Sequence, residues 1–148
     1  MNKHHKKQNM PSEQELLNHI CKQYGVSSPD QLVKTILHPD VKDFNRLVDS
    51  TKAFVQKIAK KISTSQLRNI FARVKSAHSP RDLYKLRPLL AYAAGRSSRH
   101  EEREALTELV VLMDTVIKHV QNENDVARFQ EFAESIVAYH RYFNPREN

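Results

Sequence analysis

Through most of this 148-residue chain the apolar residues recur at intervals of three and four, and no stretch sustains the period-two alternation of a half-buried strand. That spacing draws one apolar stripe along each of a series of helices, so the predicted class is all-α: a compact antiparallel helical bundle of about six to seven helices. Ser12, with Glu15 three residues on, opens a first helix that reaches Tyr24, and Gly25 supplies a left-handed stop. Ser28 caps a short second helix with Pro29 at its first position, and Pro39 ends it near His38. Val41, Phe44, Leu47, Val48, Thr51, Val55, Ile58 and Ile62 mark the inward face of a third, from about Asp40 to Lys61. Ser63 and Gln66 cap a fourth, carrying Leu67, Ile70, Phe71, Val74 and Ala77. Ser79-Pro80 begins a segment to Ala94 that Pro88 should bend or split and Gly95 should close.

Ser98 and Glu101 are the expected cap of the longest helix, in which Leu106, Val110, Met113, Ile117 and Val120 are spaced alternately by four and three. Leu109, Leu112 and Val116 widen that face enough to make it the central core element. Asn124 should open the last helix, with Val126, Phe129, Phe132, Ile136 and Val137 inward. Short connections predict that consecutive helices lie side by side and antiparallel. The expected organisation is a disordered basic tail over residues 1–11 and a single helical-bundle domain over 12–148.

Two glycines in the whole chain rule out much chemistry, because phosphate-cradling loops need several glycines where side chains would block the backbone. There is no P-loop, no dinucleotide fingerprint and no Gly-x-Ser-x-Gly elbow. A lone cysteine, Cys21, makes neither an intrachain disulfide nor a cysteine zinc site, as expected in a reducing compartment. Apolar runs such as Leu109 to Met113 are far short of the ~20 residues that span a bilayer, and the basic start has no apolar core of a signal sequence. A cytoplasmic protein with no membrane partner is the expectation.

Catalytic readings fail on spacing. No histidine follows a glutamate by three residues, as a di-iron bundle requires, and no His-Glu-x-x-His is present. Glu101, Glu104 and Glu108 share a helix face, but acids in first turns complement the helix dipole. Cys21 reads as a small buried residue, and His19, His119 and His140 as polar-face or core-edge residues. No enzyme activity, no metal site and no cofactor are expected.

The charge is unevenly placed. Residues 51–100 hold twelve Lys/Arg against the single acid Asp82, net +11, whereas residues 1–50 carry net +1 and residues 101–148 net −5. Such a concentration repels itself unless a polyanion or an acidic partner relieves it, and nucleic acid is the leading candidate. Projection at about 100° per residue groups Lys42, Arg46, Lys57 and Lys60 in one stripe on the third helix. Arg68 and Lys75 share one flank of the fourth and Arg73 lies on the other. Arg96, Ser97, Ser98 and Arg99 form a turn with two guanidinium groups and two hydroxyls, the donors that grip phosphate oxygens. Aromatics interleave only sparsely here, as Tyr84 and Tyr92, so backbone contact is favoured over base stacking. Two other readings stay open: a helix-turn-helix DNA-binding regulator using the helix from Ser63 to Ser76, and a helical adaptor whose basic face docks an acidic protein.

Two motifs carry a family resemblance. Ile62-Ser-Thr-Ser-Gln-Leu-Arg-Asn-Ile-Phe71 and Leu86-Arg-Pro-Leu-Leu-Ala-Tyr-Ala-Ala-Gly-Arg96 resemble the small subunit of type III-A CRISPR effector (Csm) complexes. In that family Ser/Thr-Ser-Gln-hydrophobic-Arg precedes Pro-x-Leu-Ala-Tyr-Ala-x-Gly-Arg. The resemblance implies a non-catalytic, RNA-binding protein of antiviral defence, several copies of which stack in a ribonucleoprotein filament. There it would contact the duplex of guide (CRISPR) RNA and target RNA and the other subunits of the effector complex, target cleavage belonging to a different subunit. The matched positions are Gln66, Arg68, Tyr92 and Arg96; charge alone adds Lys57, Lys60, Arg73 and Arg99 as RNA-binding candidates. A guide-directed complex accepts any spacer, so contacts to phosphates and 2′-hydroxyls are expected in place of contacts to base edges.

Overall fold

Capping side chains, not the apolar stripes, fix where all but one of the helices of the computed structural model begin. It describes residues 10–145: α1 (Glu13–Gln23), α2 (Pro29–Leu37), α3 (Val41–Ile58), α4 (Thr64–Lys75), α5 (Pro80–Gly95), α6 (His100–Ile117) and α7 (Glu123–Phe143). No strand occurs among the described residues, and the all-α expectation is met. The expected tail falls, for residues 1–9, outside the described residues.

Ser12, Ser28, Asp40, Ser63 and Ser79 each accept the backbone N–H three residues on, as the sequence predicted, and Ser12 and Ser63 complete reciprocal boxes with Glu15 and Gln66. Two starts differ. The Ser98/Glu101 cap does not form: Arg99 occupies the cap position of α6 without a side-chain bond. Its neighbour Ser97 is buried and donates instead to Glu102, which draws the turn one residue further before the helix begins. The last helix is capped by Asn122, not Asn124, because Asp125 both donates its N–H to Asn122 and accepts that of Gln121.

The two glycines behave differently. Gly25 has φ 68°, and its N–H and that of Val26 reach the carbonyls of Lys22 and Cys21, closing α1 through a left-handed residue. Gly95 is an ordinary last residue of α5, and Arg96 closes that helix in right-handed geometry. Nor does Pro88 split α5, which is continuous from Pro80 to Gly95. Residues 84 and 88 both lie on its exposed side, where the carbonyl left without a donor is not stranded in the core.

Two helices organise the core. In α6 every residue of the predicted stripe is buried, together with Val111. It packs on α1, α2 and α5, whereas α7 packs on α2, α3, α4 and α5. Neither α3 with α4 nor α6 with α7 is a principal pairing, so adjacency of consecutive helices fails at those two turns. Antiparallel neighbours are α1 with α3, α4 with α7, and α5 with α6, as contacts along each pair show. By contrast α3 and α7 run in the same sense, for Ala59 and Lys60 meet Asn144 and Phe143 while His38, just before α3, meets Asp125.

The inward face predicted for α3 is corrected at its start. Val41 is 90% exposed and Phe44 41%, because the first two turns of α3 have nothing packed on their inner side and burial begins at Leu47. Phe54, which the stripe left out, is fully buried against Tyr24, whose hydroxyl shares a hydrogen with Thr51. Burial pushes that phenol well above its usual range. Burial likewise raises the Cys21 thiol, in keeping with its reading as a small core residue.

Leu109 is wholly buried at the centre of α6. Leu109→Ala should lower unfolding free energy by roughly 2–5 kcal/mol through the cavity it leaves, read as a reduced urea midpoint with helicity otherwise retained.

Candidate nucleic-acid interface

Helices α4 and α5, joined by the short turn 76–79, form the walls of a cleft of about 700 Å³ whose base is the turn 96–99 and the start of α6. Four of the eight candidate residues line it: Gln66 and Arg73 from α4, Tyr92 and Arg96 from the end of α5. Ser97 and Ser98 of the expected phosphate-gripping turn line it too, and the structure adds Asn69 and Glu102, with Ile70, Leu90 and Leu106 as its apolar backing. Ala72 and Ala93 occupy the facing walls, and side chains this small leave the space open. Arg73 and Arg96 are exposed, and Tyr92 is 67% exposed, so an apolar ring and two guanidinium groups stand free at the cleft.

Gln66 has a double duty. Its Oε1 accepts the Ser63 N–H at 2.9 Å, and its side chain reaches Glu102 of α6 closely enough to favour the ionised carboxylate. Ser97 Oγ donates to Glu102 Oε1 at 2.5 Å. The Ser97 bond first, then the Gln66 bond and the charge of Arg99, hold the Glu102 carboxyl below its usual range against an opposing cost of burial. The cleft therefore carries an ionised carboxylate among its cations. Sequence reasoning missed it, because the carboxylates it weighed were Glu101, Glu104 and Glu108, and nothing local in the sequence ties Gln66 to a residue so far along the chain.

The other four candidates lie elsewhere. Arg99 is exposed at the start of α6 and acts on the cleft only through its charge on Glu102. Arg68 points to the opposite flank of α4, where it lines a small hollow against α7 with Val137 and His140. On α3 the stripe is not free along its length. Lys57 Nζ sits 3.2 Å from His19 of α1, Lys60 Nζ donates to the Phe143 carbonyl at the end of α7, and Arg46 lies 3.7 Å from Asp43. Projection of one helix cannot show that α1 and α7 pack against its two flanks.

Within the basic segment the cations divide between fold and surface. Arg87 makes a forked pair with Asp114, at 2.6 and 3.3 Å, and the pairing raises the Arg87 pKa. The single acid Asp82 is spent on the start of α5: it accepts the His78 N–H at 2.8 Å, which lowers its carboxyl pKa. Arg68, Arg73, Lys75, Arg81, Lys85, Arg96 and Arg99 remain exposed. Among the described residues no group of three His, Cys, Asp or Glu is placed to hold a metal ion, and no helix is long and apolar enough to cross a membrane.

A protein-family model described as Csm2 Type III-A matches residues 41–146, from the start of α3 past the end of α7. Both motifs and the whole cleft fall inside the match, and α1 and α2 precede it. No curated protein and no solved structure matches the chain.

A depressed carboxyl stabilises the fold above its ordinary unfolded pKa, about 4.3 for glutamate, and loses that contribution as pH falls through the lower folded value. Glu102→Gln should therefore be less stable than wild type near neutrality, with the gap closing in acid, as urea melts over a pH series would record.

Proposed function

The chain belongs to the Csm2 Type III-A family, the small subunit of type III-A CRISPR effector complexes, and we propose that within such a complex it is a non-catalytic subunit, a single helical domain, that holds guide RNA and target RNA through their backbone in support of antiviral interference. The observation that carries this reading is the gathering of Gln66, Tyr92 and Arg96, from two separate motifs, into one cleft with Arg73 of the basic segment. Phosphate oxygens only accept hydrogen bonds, and guanidinium, amide and hydroxyl groups are the donors that meet them. Two exposed arginines, Asn69 and Ser98 supply that set, and the exposed Lys75, Arg81, Lys85 and Arg99 add to the positive field of the same segment.

Such contacts are blind to base identity, which a subunit serving every guide requires. Tyr92 can lie against a ribose or a base without selecting one. Arg68, on the far flank of α4, Lys57, on α3, and Lys60, just past its end, extend the contacts to a second strand, to a neighbouring copy in the filament or to another subunit. The residues support binding, and no group in the cleft is arranged as an acid and base pair across a reacting phosphate: Glu102 is its only carboxylate.

Wild-type protein should bind RNA of any sequence weakly, with affinity falling as salt rises at a log-log slope of about −0.7 per phosphate neutralised on single strands. Arg73→Ala with Arg96→Ala should lose up to two such contacts, flattening the slope by about 1.4. Its melting temperature should hardly change, since exposed arginines contribute under about 1 kcal/mol to folding. A flat salt response of the wild type, or a folded double variant with an unaltered slope, would place the interface elsewhere. Purified protein should leave RNA intact with and without divalent metal, and cleavage that co-purifies with the chain would refute the non-catalytic role.

A further inference from the structure

Most of the cleft suits a phosphate chain, but Glu102 does not. An ionised carboxylate offers acceptors only, and phosphate oxygens offer nothing to donate. Placed beside a bound phosphate it would weaken binding by like-charge repulsion, so a cleft built for phosphates alone gains nothing from it. Its partners Ser97 and Gln66 account for two of the roughly four lone-pair positions of a carboxylate, which leaves acceptor capacity in a group that lines the cleft and is only partly buried. The group that meets it must be a donor. RNA carries donors of two kinds: base amino and imino groups, which differ from base to base, and the ribose 2′-hydroxyl, which every nucleotide has.

We infer that Glu102 accepts the 2′-hydroxyl of a ribose seated in the α4/α5 cleft and thereby makes this subunit prefer RNA to DNA. The inference rests on the RNA reading above and deepens it: arginines hold the chain, and the carboxylate checks the sugar. The rest of the arrangement agrees with it. Ser97 holds the carboxylate by its 2.5 Å bond, and Ser97 and Gln66 both favour its ionised form. Tyr92 and the arginines lie in the same cleft, so a nucleotide whose phosphates meet Arg73 and Arg96 has its sugar within the space that Glu102 lines. A hydroxyl is the one donor there whose recognition costs no generality of sequence.

The test compares the full-length chain binding three labelled single strands of one mixed sequence, at one moderate salt: RNA, DNA, and 2′-O-methyl RNA. The methylated strand keeps the ribose-like pucker and loses the donor. Wild type should favour RNA over both others by roughly fivefold, the scale of one net hydrogen bond. Glu102→Leu, which removes the acceptor as well as the charge, should bring the three strands close together. Glu101→Gln removes the same charge one residue away and outside the cleft, so it should strengthen all three alike and keep the preference. Equal binding of the three strands by wild type overturns the inference. So does a Glu102→Leu variant that binds all three more tightly with the preference intact, because the carboxylate is then only a repulsive or structural group. A wild type that binds no nucleic acid removes the RNA reading and this inference together. RNA binding that survives Arg73→Ala with Arg96→Ala removes the cleft, and the inference with it, while leaving RNA binding by another face.

Discussion

A helix that ends inside a protein leaves carbonyls without donors, and in this fold α7 supplies them. Gln130 Nε2 donates to the carbonyls of Val74, Lys75 and Ala77 at the end of α4, at 2.9–3.3 Å. Buried His140 donates to Ile62, and Asn144 to Ala59, in the turn that links α3 to α4. Lys60 returns the favour at the end of α7. An unpaired buried carbonyl costs on the order of 1–3 kcal/mol, so these few side chains decide how the ends of α3 and α4 sit. They also account for α3 and α7 running in the same sense: the chain leaves α3 beside the C-terminal end of α7, and α4 then runs back along it.

The cleft follows from that arrangement. One wall, α4, is held by α7, and the other, α5, is held by α6 through the Arg87–Asp114 fork and the bond from the Tyr84 hydroxyl to the Val120 carbonyl. Since the two walls belong to different supporting helices, a gap opens between them, and α6 enters its base with Glu102 and Leu106. Local structure and site share atoms here. The same Gln66 that closes the capping box of α4 reaches the carboxylate of α6. A change at the start of α4 is thus felt at the floor of the cleft.

Much was legible in the sequence because it is local. Helix class follows from spacing at three and four, most starts from a serine three residues before a free N–H, and the stop at Gly25 from the ease with which glycine takes positive φ. The α6 core stripe was equally plain, since a face that broad has only the interior to occupy. The two basic motifs marked Gln66, Tyr92 and Arg96, and the charge count added Arg73. The misreadings were of another kind. Ser98 looked like a cap, but the burial of Ser97 and its bond to Glu102 moved the helix start. Phe44 sat on the apolar stripe of α3, but nothing lies inside that turn.

By itself, the sequence determined the seven helical segments in outline, the basic middle third, and the identity of the family's motifs, all of which depend on residues within a few positions of each other. Only the tertiary structure decided which cations are free. It tied Arg87 to Asp114 and Lys60 to Phe143, set Arg68 against α7, and placed a carboxylate from α6 among the arginines of the cleft. The reason is that projecting one helix gives the direction of a side chain but not its neighbours. Those are fixed by pairings of helices far apart in the chain, which packing and the pairing of buried polar groups select together.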